Sequence, residues 1–426
     1  MNMSSLPGFR DFYPADMALR SHIIRTWREV ARRYGFVEYD GPPLESLELY
    51  TRKSGEEIVG QLYAFTDQGG REVAMRPEMT PTFARMVAAR AAGLAKPIKW
   101  FSVPQLFRHE RPQKGRLREH FQLNLDIVGE TSVASDVEVV AAAIDVLREF
   151  GLGEEDFEVR YSDRRLISGI LVELGVPETG LPGAFAALDK VDRESSEWVL
   201  DRLAESGVAR DVATEVLALA DVDLEGLAQR FGGSSEVVES LERLRRFQTQ
   251  LEATGLGGFA RFDVRLVRGL AYYTGLVFEL WDRRGRFRAI CGGGRYDDLL
   301  EAVGGPALPA LGFGMGDVVL AELLRDRDLI PDLAVALDDF VVHVSEEQLP
   351  EALRIVHALR RRGRRVAFDY RSRGVARQFK VAHQAGAARV IVVGPDEVER
   401  GECLVRTMET GEERSVGLDE LLADLS

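Results

Sequence analysis

A long stretch of helical pattern lies between two regions of strand pattern in this sequence. Residues 163–258 are rich in Glu, Leu and Ala, and their pattern is nearly all helical. Strand-like segments precede this stretch at residues 98–109 and 118–129, and others follow it at residues 259–282 and 287–305. We therefore predict an α+β core, mostly antiparallel, with a helical insertion. The predicted boundaries are 1–162 for the first part of the core, 163–260 for the insertion and 261–328 for the second part.

The last part of the chain has a different pattern, in which short strands alternate with helices. A break that contains Pro331 precedes it, and the segments "DFVVHVS", "LPEALRIVHALRRRG" and "RRVAFDY" open the alternation. Strands and helices that alternate at this spacing are typical of a small α/β domain with a largely parallel sheet. We predict this domain over residues 339–426, after a linker at residues 329–338.

Two helices are predicted in the first part of the core. From Asp16 to Tyr34 the apolar residues recur at helical spacing, and Gly35 ends the run. The apolar face of that helix fits either the core or a contact between two copies of the chain. The segment "ASDVEVVAAAIDVLREFG" predicts an amphipathic helix that Ser135 or Asp136 would cap.

Composition argues against several classes of protein. The 426 residues are 45% hydrophobic, and no run of about 18 uncharged apolar residues occurs, so we expect no membrane span. The N-terminal segment lacks the apolar stretch and the small-residue cleavage site of a secretion signal, which indicates a cytoplasmic protein. Cys291 and Cys403 have no CxxC partner, and the histidines have no metal spacing. Neither a disulfide framework nor a metal site is therefore predicted.

Positive charge is concentrated in two places although the chain has a formal net charge of -14. Five cations lie between Arg108 and Arg118, which indicates either a solvated turn or an anion site. Ten cations and one acidic residue lie between Arg354 and Lys380, which gives that basic strip +9 and leaves -23 for the rest of the chain. The strip fits a helix C-terminus capped by Gly363, and it also fits a surface for a polyanion.

Short motifs along the chain resemble those of one family. The segment "FRHERPQKGRLREHFQ" resembles motif 2 of class II aminoacyl-tRNA synthetases, and "GFGMG" resembles the start of motif 3. The segments "LVRGLAYYTG" and "GGGRYDDL" resemble two signatures of histidyl-tRNA synthetases, and "RPEMTP" resembles the amino-acid loop of that family. The segment "ARQFKVAHQAGAARVIVVGPDE" looks like the anticodon-binding domain of the same family. The likeness covers essentially the whole chain.

The resemblance implies a class II antiparallel-sheet catalytic core and the activity of a histidine–tRNA ligase. Such an enzyme activates L-histidine with ATP and Mg²⁺, releases pyrophosphate, and then transfers the histidyl group to the 3′ end of histidine tRNA. A homodimer is also implied. In-line attack of a carboxylate on the α-phosphorus brings negative charges together, so positioning and electrostatic neutralisation must supply most of the rate.

The catalytic arginines implied by the resemblance are Arg108 and Arg268. Arg108 would hold the α-phosphate, and Arg268 would reach between the histidine carboxylate and the same phosphate. Glu110, two residues beyond Arg108 and expected on the same strand face, would accept a hydrogen bond from the adenine amino group. Arg116 and Arg118 complete the implied ATP-binding set.

Recognition of histidine requires polar groups that a wrong amino acid would leave unpaired, at a cost of about 1–3 kcal/mol each. The residues implied for histidine are Glu78 and Thr80 at the α-ammonium, Gln122 at the carboxylate and amino group, Asp126 and Tyr273 at the ring nitrogens, Tyr272 and Tyr296 at the pocket walls, and Gly293 within Gly292–Gly294, where backbone approaches the ligand closely. The residues implied for tRNA are Arg111 and Gln113 at the extra 5′ guanosine. The charge of the basic strip adds Arg371 and Arg373 in the C-terminal domain as predicted tRNA contacts.

Three positions depart from the family pattern. Asp126 stands where many members carry glutamate, Ala271 stands where an acidic residue is common, and Val319 stands where motif 3 usually has an arginine that holds ATP. The last departure keeps a second interpretation open, namely a paralogue that binds a histidine-like ligand as the regulatory subunit of ATP phosphoribosyltransferase. Such paralogues generally lose the arginine at position 268 and the anticodon domain, and both are present here, so the ligase interpretation is favoured.

Overall fold

The computed structural model describes residues 4–51, 59–188, 190–191, 194–219, 222–266, 272–333 and 336–423. The chain divides into two compact units, Met1–Pro331 and Asp332–Ser426. Arg268 and Ala271 lie outside the described residues. Within the described residues, no helix is both long enough and apolar enough to cross a membrane.

The first unit contains most of the secondary structure. Its helices are α1 (Pro14–Arg33), α2 (Leu47–Thr51), α3 (Thr80–Arg90), α4 (Val133–Glu149), α5 (Arg164–Glu173), α6 (Leu181–Leu188), α7 (Ser196–Glu205), α8 (Arg210–Ala218), α9 (Leu224–Phe231), α10 (Ser235–Ala253), α11 (Leu299–Ala302) and α12 (Asp317–Asp326). Its strands are β1 (Val37–Glu38), β2 (Leu44–Ser46), β3 (Tyr63–Thr66), β4 (Glu72–Met75), β5 (Ile98–Ser102), β6 (Gln105–Phe107), β7 (Glu119–Val128), β8 (Phe157–Asp163), β9 (Ala260–Phe262), β10 (Leu276–Asp282), β11 (Cys291–Arg295) and β12 (Ala310–Gly316).

A nine-stranded sheet organises the described part of the first unit. Its strand order is β1-β5-β7-β12-β11-β10-β8-β9, and β6 also pairs with β7. Neighbouring strands are antiparallel except for the two edge pairs, β1 with β5 and β8 with β9. The prediction of an α+β core that is mostly antiparallel is therefore confirmed. A smaller sheet has the order β2-β4-β3.

The segment 98–109, expected as one strand, forms two strands separated by Val103 and Pro104. Both β5 and β6 pair with β7, which runs unbroken beside them. A proline has no N–H to donate to a sheet ladder, so the pairing is interrupted there and resumes at Gln105. The prediction of a single strand was wrong in this respect. Phe107 ends β6, so Arg108 and Glu110 lie in the connection and not on a strand face.

The apolar face of α1 is part of the core. Its buried residues include Ile23, Trp27, Val30 and Ala31, and the helix packs against α4 and α12 of the same chain. Burial of such a face is a main source of helix stability in proteins. This face therefore gives no support to a contact between two copies of the chain.

The predicted cap of the helix α4 was wrong. The helix begins after Ser132, and both Ser135 and Asp136 lie inside its first turn. Asp136 instead accepts hydrogen bonds from Arg295 at 2.6 Å and from Arg243 at 2.8 Å. Arg295 is itself buried, and a buried guanidinium is stable only when it is paired and hydrogen-bonded. Asp136 is therefore the acidic partner of the buried Arg295, and it does not cap α4.

The insertion is helical, as its composition indicates. It contains α5 to α10, and α10 packs against both α4 and α5. Several of its helices begin with a side chain that accepts a backbone N–H, which satisfies a donor that the first turn leaves free. These capping residues are Asp163 for α5, Ser195 for α7, Asp223 for α9 and Ser234 for α10.

The second unit is a small α/β domain. Its elements are β13 (Asp339–His343), α13 (Leu349–Arg361), β14 (Val366–Phe368), α14 (Val375–Gln384), β15 (Arg389–Val393), α15 (Pro395–Arg400), β16 (Glu402–Thr407), β17 (Glu413–Gly417) and α16 (Leu418–Ala423). Its sheet has the order β14-β13-β15-β16-β17.

The sheet of the second unit is mixed, so the prediction of a largely parallel sheet was wrong. The pairs of β13 with β14 and β15 are parallel, whereas β15–β16 and β16–β17 are antiparallel. The strand β17 returns through a tight turn in which Gly411 has a φ of +73° and Thr407 N donates to Glu412 O. A turn this short can join only antiparallel neighbours, since a parallel connection needs a longer crossover.

Candidate active site

The floor of the candidate site is made by β7 and its neighbour β12. Gln122 and Asp126 lie four residues apart on β7, so their side chains share one face of the sheet. The register places Gly312 opposite Asp126, Gly314 opposite Asn124 and Gly316 opposite Gln122. A Cβ atom on Gly312 would overlap Asp126 Oδ1, and one on Gly314 would lie 2.8 Å from Gln122 Cδ. The glycines of "GFGMG" thus leave room for the polar side chains of β7.

A cavity of about 180 Å³ lies over this floor. It brings together seven of the eight residues predicted to bind histidine. These are Glu78, Thr80, Gln122, Asp126, Tyr272, Tyr273 and Tyr296. The eighth, Gly293, does not line the cavity, because a Cβ there would meet Phe313 and Phe278; Gly292 lines it instead.

The most buried acid of this cavity is Asp126, which is 2% exposed. Tyr296 donates its hydroxyl hydrogen to Asp126 Oδ1, while Oδ2 has no hydrogen-bond partner within the described residues. Burial raises the pKa of Asp126 to about 7, although the hydrogen bond from Tyr296 opposes that shift. An acceptor left unpaired in such a place costs about 1–3 kcal/mol, which a donor on a ligand would recover.

At another point on the wall, Glu78 and Tyr272 form a second polar pair. Tyr272 Oη donates to Glu78 Oε2 at 3.1 Å, and Glu78 is buried. Glu78 precedes α3, which begins at Thr80. Arg76, also buried, holds this segment by donating to Gln105 O, Asp40 Oδ1 and Gly41 O. Two acidic residues, Glu78 and Asp126, therefore line a cavity of amino-acid size.

A second cavity, of about 310 Å³, adjoins the first. The two share four lining residues, namely Arg108, Gln122, Gly292 and Gly314. Arg108 donates from Nε to Pro77 O at 2.9 Å, which fixes its guanidinium at this junction. A carboxylate in the first cavity and a phosphate in the second could therefore contact the same arginine.

Of the other residues predicted to bind ATP, Glu110 and Arg116 line the second cavity and form an ion pair with each other. Arg118 lines neither cavity. Its Nε donates to Glu110 O at 3.1 Å, its Nη1 donates to Pro7 O at 3.3 Å, and its side chain packs beside Gly8. The structure thus brings Arg108, Glu110 and Arg116 together and leaves Arg118 at the N-terminal segment.

Sequence reasoning missed several polar residues of the two cavities. Asn124 lines the first cavity, and its position between Gln122 and Asp126 on the same face of β7 was a signal that could have revealed it. His120, Glu279 and Arg288 line the second cavity. Desolvation, together with nearby Arg108 and Arg10, lowers the pKa of His120 to about 3, so its imidazole is neutral near pH 7. Glu279 and Arg288 belong to no motif that we recognised.

The position of the absent motif 3 arginine lies in the first turn of α12. Val319 is 9% exposed and lines the second cavity. A Cβ on Gly115 would lie 3.4 Å from Val319 Cγ2, so the two residues are in close contact. Gly115 has a φ of +73°, a conformation that favours glycine.

The residues predicted for tRNA lie on exposed segments. Arg111 and Gln113 are exposed in the connection between β6 and β7, where Gln113 and Arg116 exchange backbone hydrogen bonds. In the second unit, Arg371 and Arg373 follow β14; Arg373 pairs with Asp369 at 2.5 Å, and the side chain of Arg371 is exposed. Arg268 lies outside the described residues.

The basic strip 354–380 is partly neutralised by its own unit. Four of its arginines form ion pairs with acidic residues: Arg354 with Glu351, Arg364 with Asp339, Arg365 with Asp338, and Arg373 with Asp369. Gly363 follows the C-cap of α13 with a φ of +79°, as the helix-end interpretation requires. Six exposed cations without an ion pair in the described structure remain, namely Arg360, Arg361, Arg362, Arg371, Arg377 and Lys380, and of these Arg360 donates hydrogen bonds to Val366 O. Both interpretations of the strip thus keep some support.

The described residues contain no group of three or more His, Cys, Asp or Glu side chains that could hold a metal ion. Cys291 and Cys403 are buried and form no disulfide within the described residues. The carboxylates of Glu110 and Glu279 do line the second cavity. Such oxygens suit Mg²⁺ when it arrives bound to phosphates, which is its usual mode of binding at nucleotide sites.

Comparison with protein-family models gives two matches. Residues 8–317 match the model described as "Histidyl-tRNA synthetase", and residues 339–426 match the one described as "Anticodon binding domain". The chain belongs to the histidyl-tRNA synthetase family. The two matches together span both compact units, and the recognition made from the sequence motifs is confirmed.

Individual relatives agree over almost the whole length. "Histidine--tRNA ligase" of Opitutus terrae is 43% identical, with 98% of this chain and 97% of the relative covered. "Histidine--tRNA ligase, chloroplastic/mitochondrial" of Arabidopsis thaliana is 38% identical over 97% of this chain and 85% of the relative. Among solved structures, the crystal structure of histidyl-tRNA synthetase from Nostoc sp. PCC 7120 covers 100% of this chain and 99% of its own, with a TM-score of 0.82 and 23% identity. At this identity, the similarity to the Nostoc structure shows a shared fold.

Proposed function

We propose that this protein is a histidine–tRNA ligase, which activates L-histidine with ATP and transfers it to histidine tRNA. The observation that carries the proposal is a histidine-sized cavity joined at Arg108 to a larger cavity lined by three guanidiniums. Full-length similarity to histidine–tRNA ligases supports it independently. An aminoacyl-tRNA synthetase needs this arrangement, since it must bind an amino acid and ATP side by side.

The first cavity offers a partner for each polar group of histidine. Oδ2 of Asp126 is an unpaired acceptor for an imidazole N–H, and Tyr273 is the second group proposed at the ring. Glu78 and Thr80 would bind the α-ammonium, where a carboxylate and a hydroxyl both accept hydrogen bonds. Tyr296 and Tyr272 would hold the two acids in place, because each already donates a hydrogen bond to one of them.

Activation would occur at the junction of the two cavities. An oxygen of the histidine carboxylate attacks the α-phosphorus, a new P–O bond forms, and the bond from the α-phosphorus to the bridging oxygen of pyrophosphate breaks. Arg108 contacts both sides of the junction and would stabilise the charge that builds up on the α-phosphate oxygens. Arg268 is proposed for the same charge on the basis of its motif alone.

The second cavity would hold ATP as its magnesium complex. Glu110, fixed by Arg116, would accept a hydrogen bond from the adenine amino group. Glu279 could supply a carboxylate oxygen to the Mg²⁺ that accompanies the phosphates. Arg118 remains a proposed contributor through Glu110, whose backbone oxygen accepts its hydrogen bond.

Transfer to tRNA completes the proposed reaction, in which a hydroxyl of the terminal ribose attacks the carbonyl carbon of the adenylate and AMP leaves. Arg111 and Gln113, exposed beside the second cavity's Arg116, would meet the acceptor end. Arg371 and Arg373 would contact tRNA from the anticodon-binding domain. A homodimeric assembly and a cytoplasmic location are part of the proposal, and both rest on membership of the family.

Histidine-dependent exchange of pyrophosphate into ATP tests the proposal. A ligase catalyses this exchange without tRNA, and it charges histidine tRNA when tRNA is added. The alternative, a regulatory subunit of ATP phosphoribosyltransferase, would bind histidine and show neither activity. Exchange with charging supports the ligase, whereas histidine binding without either one contradicts it.

A further inference from the structure

Arg288 is an unassigned guanidinium on the wall of the second cavity. It is exposed, and it forms neither a hydrogen bond nor an ion pair within the described residues. Its neighbour in sequence, Arg286, is also exposed but pairs with Asp326 Oδ1 at 2.7 Å and does not line the cavity. Arg288 therefore presents an unpaired guanidinium to the cavity, whereas the guanidinium of Arg286 is paired with Asp326 away from the cavity.

The other two arginines of this cavity are already engaged. Arg116 is neutralised by Glu110, and Arg108 is held at the junction with the first cavity by its hydrogen bond to Pro77 O. His120 is neutral near pH 7. A bound triphosphate carries charge beyond the α-phosphate, and of the cavity's described cations Arg288 is the one that is neither paired with an acid nor tied to the junction.

The backbone on either side of Arg288 is fixed, so the arginine has a defined position. Phe287 is buried and stacks against the Lys114 ammonium at 5.0 Å, which joins this segment to the connection between β6 and β7. On the other side, Ile290 N donates to Leu280 O at 2.8 Å. A side chain that starts from an anchored backbone loses less entropy when it binds a ligand.

The sheet register places Arg288 at the same edge as Val319. Within the antiparallel pair β11–β12, Cys291 lies opposite Met315. Residues just before β11 therefore lie near residues just after β12, and both Arg288 and Val319 line the second cavity. Val319 offers no charge, and its contact with Gly115 occupies the space beside it.

We propose that Arg288 binds the β- and γ-phosphates of ATP and thereby supplies, from the segment just before β11, the cation that the first turn of α12 lacks. The proposal rests on the proposed function of the site as an ATP-dependent synthetase. Arg108 keeps its proposed role of binding the α-phosphate. Arg288 is a substrate-binding residue with a charge-assisted, fork-shaped contact, which an arginine makes better than a lysine.

Binding of ATP and of AMP, measured by calorimetry with the full chain, tests this assignment. Arg288→Ala should weaken the binding of Mg-ATP about 10- to 100-fold, the range for a lost hydrogen-bonded charge, and leave AMP binding within about twofold of wild type. Arg288→Lys should lie between Arg288→Ala and wild type. The matched control, Arg286→Ala, removes an exposed arginine two residues away and should bind both nucleotides as wild type does.

Steady-state pyrophosphate exchange provides the second readout. Arg288→Ala should raise KM for ATP and leave KM for histidine nearly unchanged. Equal losses for ATP and AMP, wild-type ATP binding in Arg288→Ala, or an equal effect of Arg286→Ala would each overturn the assignment. A wild-type protein without exchange would contradict the proposed function instead, and the contrast between ATP and AMP would still report on Arg288.

Discussion

Tyr296 donates its hydroxyl hydrogen to one carboxylate oxygen of Asp126, and the other oxygen, Oδ2, is buried without a partner in the described structure. The two residues come from different parts of the sheet, since Asp126 is on β7 and Tyr296 follows β11. This pair leaves one acceptor for a ligand and fixes its direction through the other oxygen. We regard it as the basis of selectivity for an imidazole.

At pH 8, above the raised pKa of Asp126, Asp126→Asn should weaken histidine binding at least tenfold and leave ATP binding within about twofold, because the imidazole alone loses a charged acceptor. Tyr296→Phe keeps the carboxylate and removes its orienting donor, so it should weaken histidine binding less than Asp126→Asn does. Calorimetric titration of each variant with histidine and with ATP measures both effects. Equal losses for the two ligands in Asp126→Asn would remove Asp126 from the histidine site.

The pH dependence of stability should reveal the raised pKa of Asp126. Its pKa is about 7 in the folded chain and 3.8 for an exposed carboxyl, so between these values the unfolded chain releases a proton that the folded chain keeps. Folding stability therefore falls as pH rises from about 4 to 7 and levels off above 7, by about 1.4 kcal/mol for each unit of pKa difference.

Asp126→Asn lacks this titration, so its stability relative to wild type should increase over the same pH interval. Urea unfolding of both proteins without ligand at pH 5, 6, 7 and 8 gives the comparison. A constant difference between variant and wild type across this range would contradict the raised pKa.

Gln113→Ala should spare histidine-dependent pyrophosphate exchange and reduce tRNA charging, most visibly for tRNA that carries the extra 5′ guanosine. The residue is exposed and lines neither cavity, and an amide there would donate and accept hydrogen bonds with a base edge. Charging assays with tRNA that has or lacks this guanosine measure the effect. A loss of exchange and of charging by the same factor would assign Gln113 to ATP.

Arg371→Ala should weaken tRNA binding and make its salt dependence less steep by about one unit of slope, as expected when one phosphate contact is lost. Exchange of pyrophosphate should be unchanged. Arg354→Ala is a matched control, because Arg354 belongs to the same basic strip but pairs with Glu351. Filter-binding titrations over a range of salt concentrations measure the slopes, and the same slope for wild type and Arg371→Ala would remove Arg371 from the tRNA surface.

The local sequence pattern was enough to predict those strands and helices whose tertiary contacts favour the same structure as the pattern does. The alternation of "REHFQLNLDIV" predicted the strand β7. The helical periodicity of the insertion was likewise sufficient. The motifs then identified the family, and seven residues that they implied for histidine line one cavity.

The features that were missed depend on contacts between distant segments. Asp136 looked like a helix cap, yet Arg295, 159 residues away, takes its carboxylate. The apolar face of α1 could have met a second copy of the chain, and the core covers it instead. Arg288 belongs to no recognised motif, and the register of β11 with β12 is what brings it to the cavity of Arg108.

We propose that histidine and AMP are joined where the two adjoining cavities meet. The most direct test is the exchange of labelled pyrophosphate into ATP by the wild-type protein with each amino acid supplied in turn. We expect exchange with histidine, background rates with the other amino acids, and a requirement for Mg²⁺. Background exchange with histidine, in a protein shown by calorimetry to bind histidine, would contradict the proposed ligase activity.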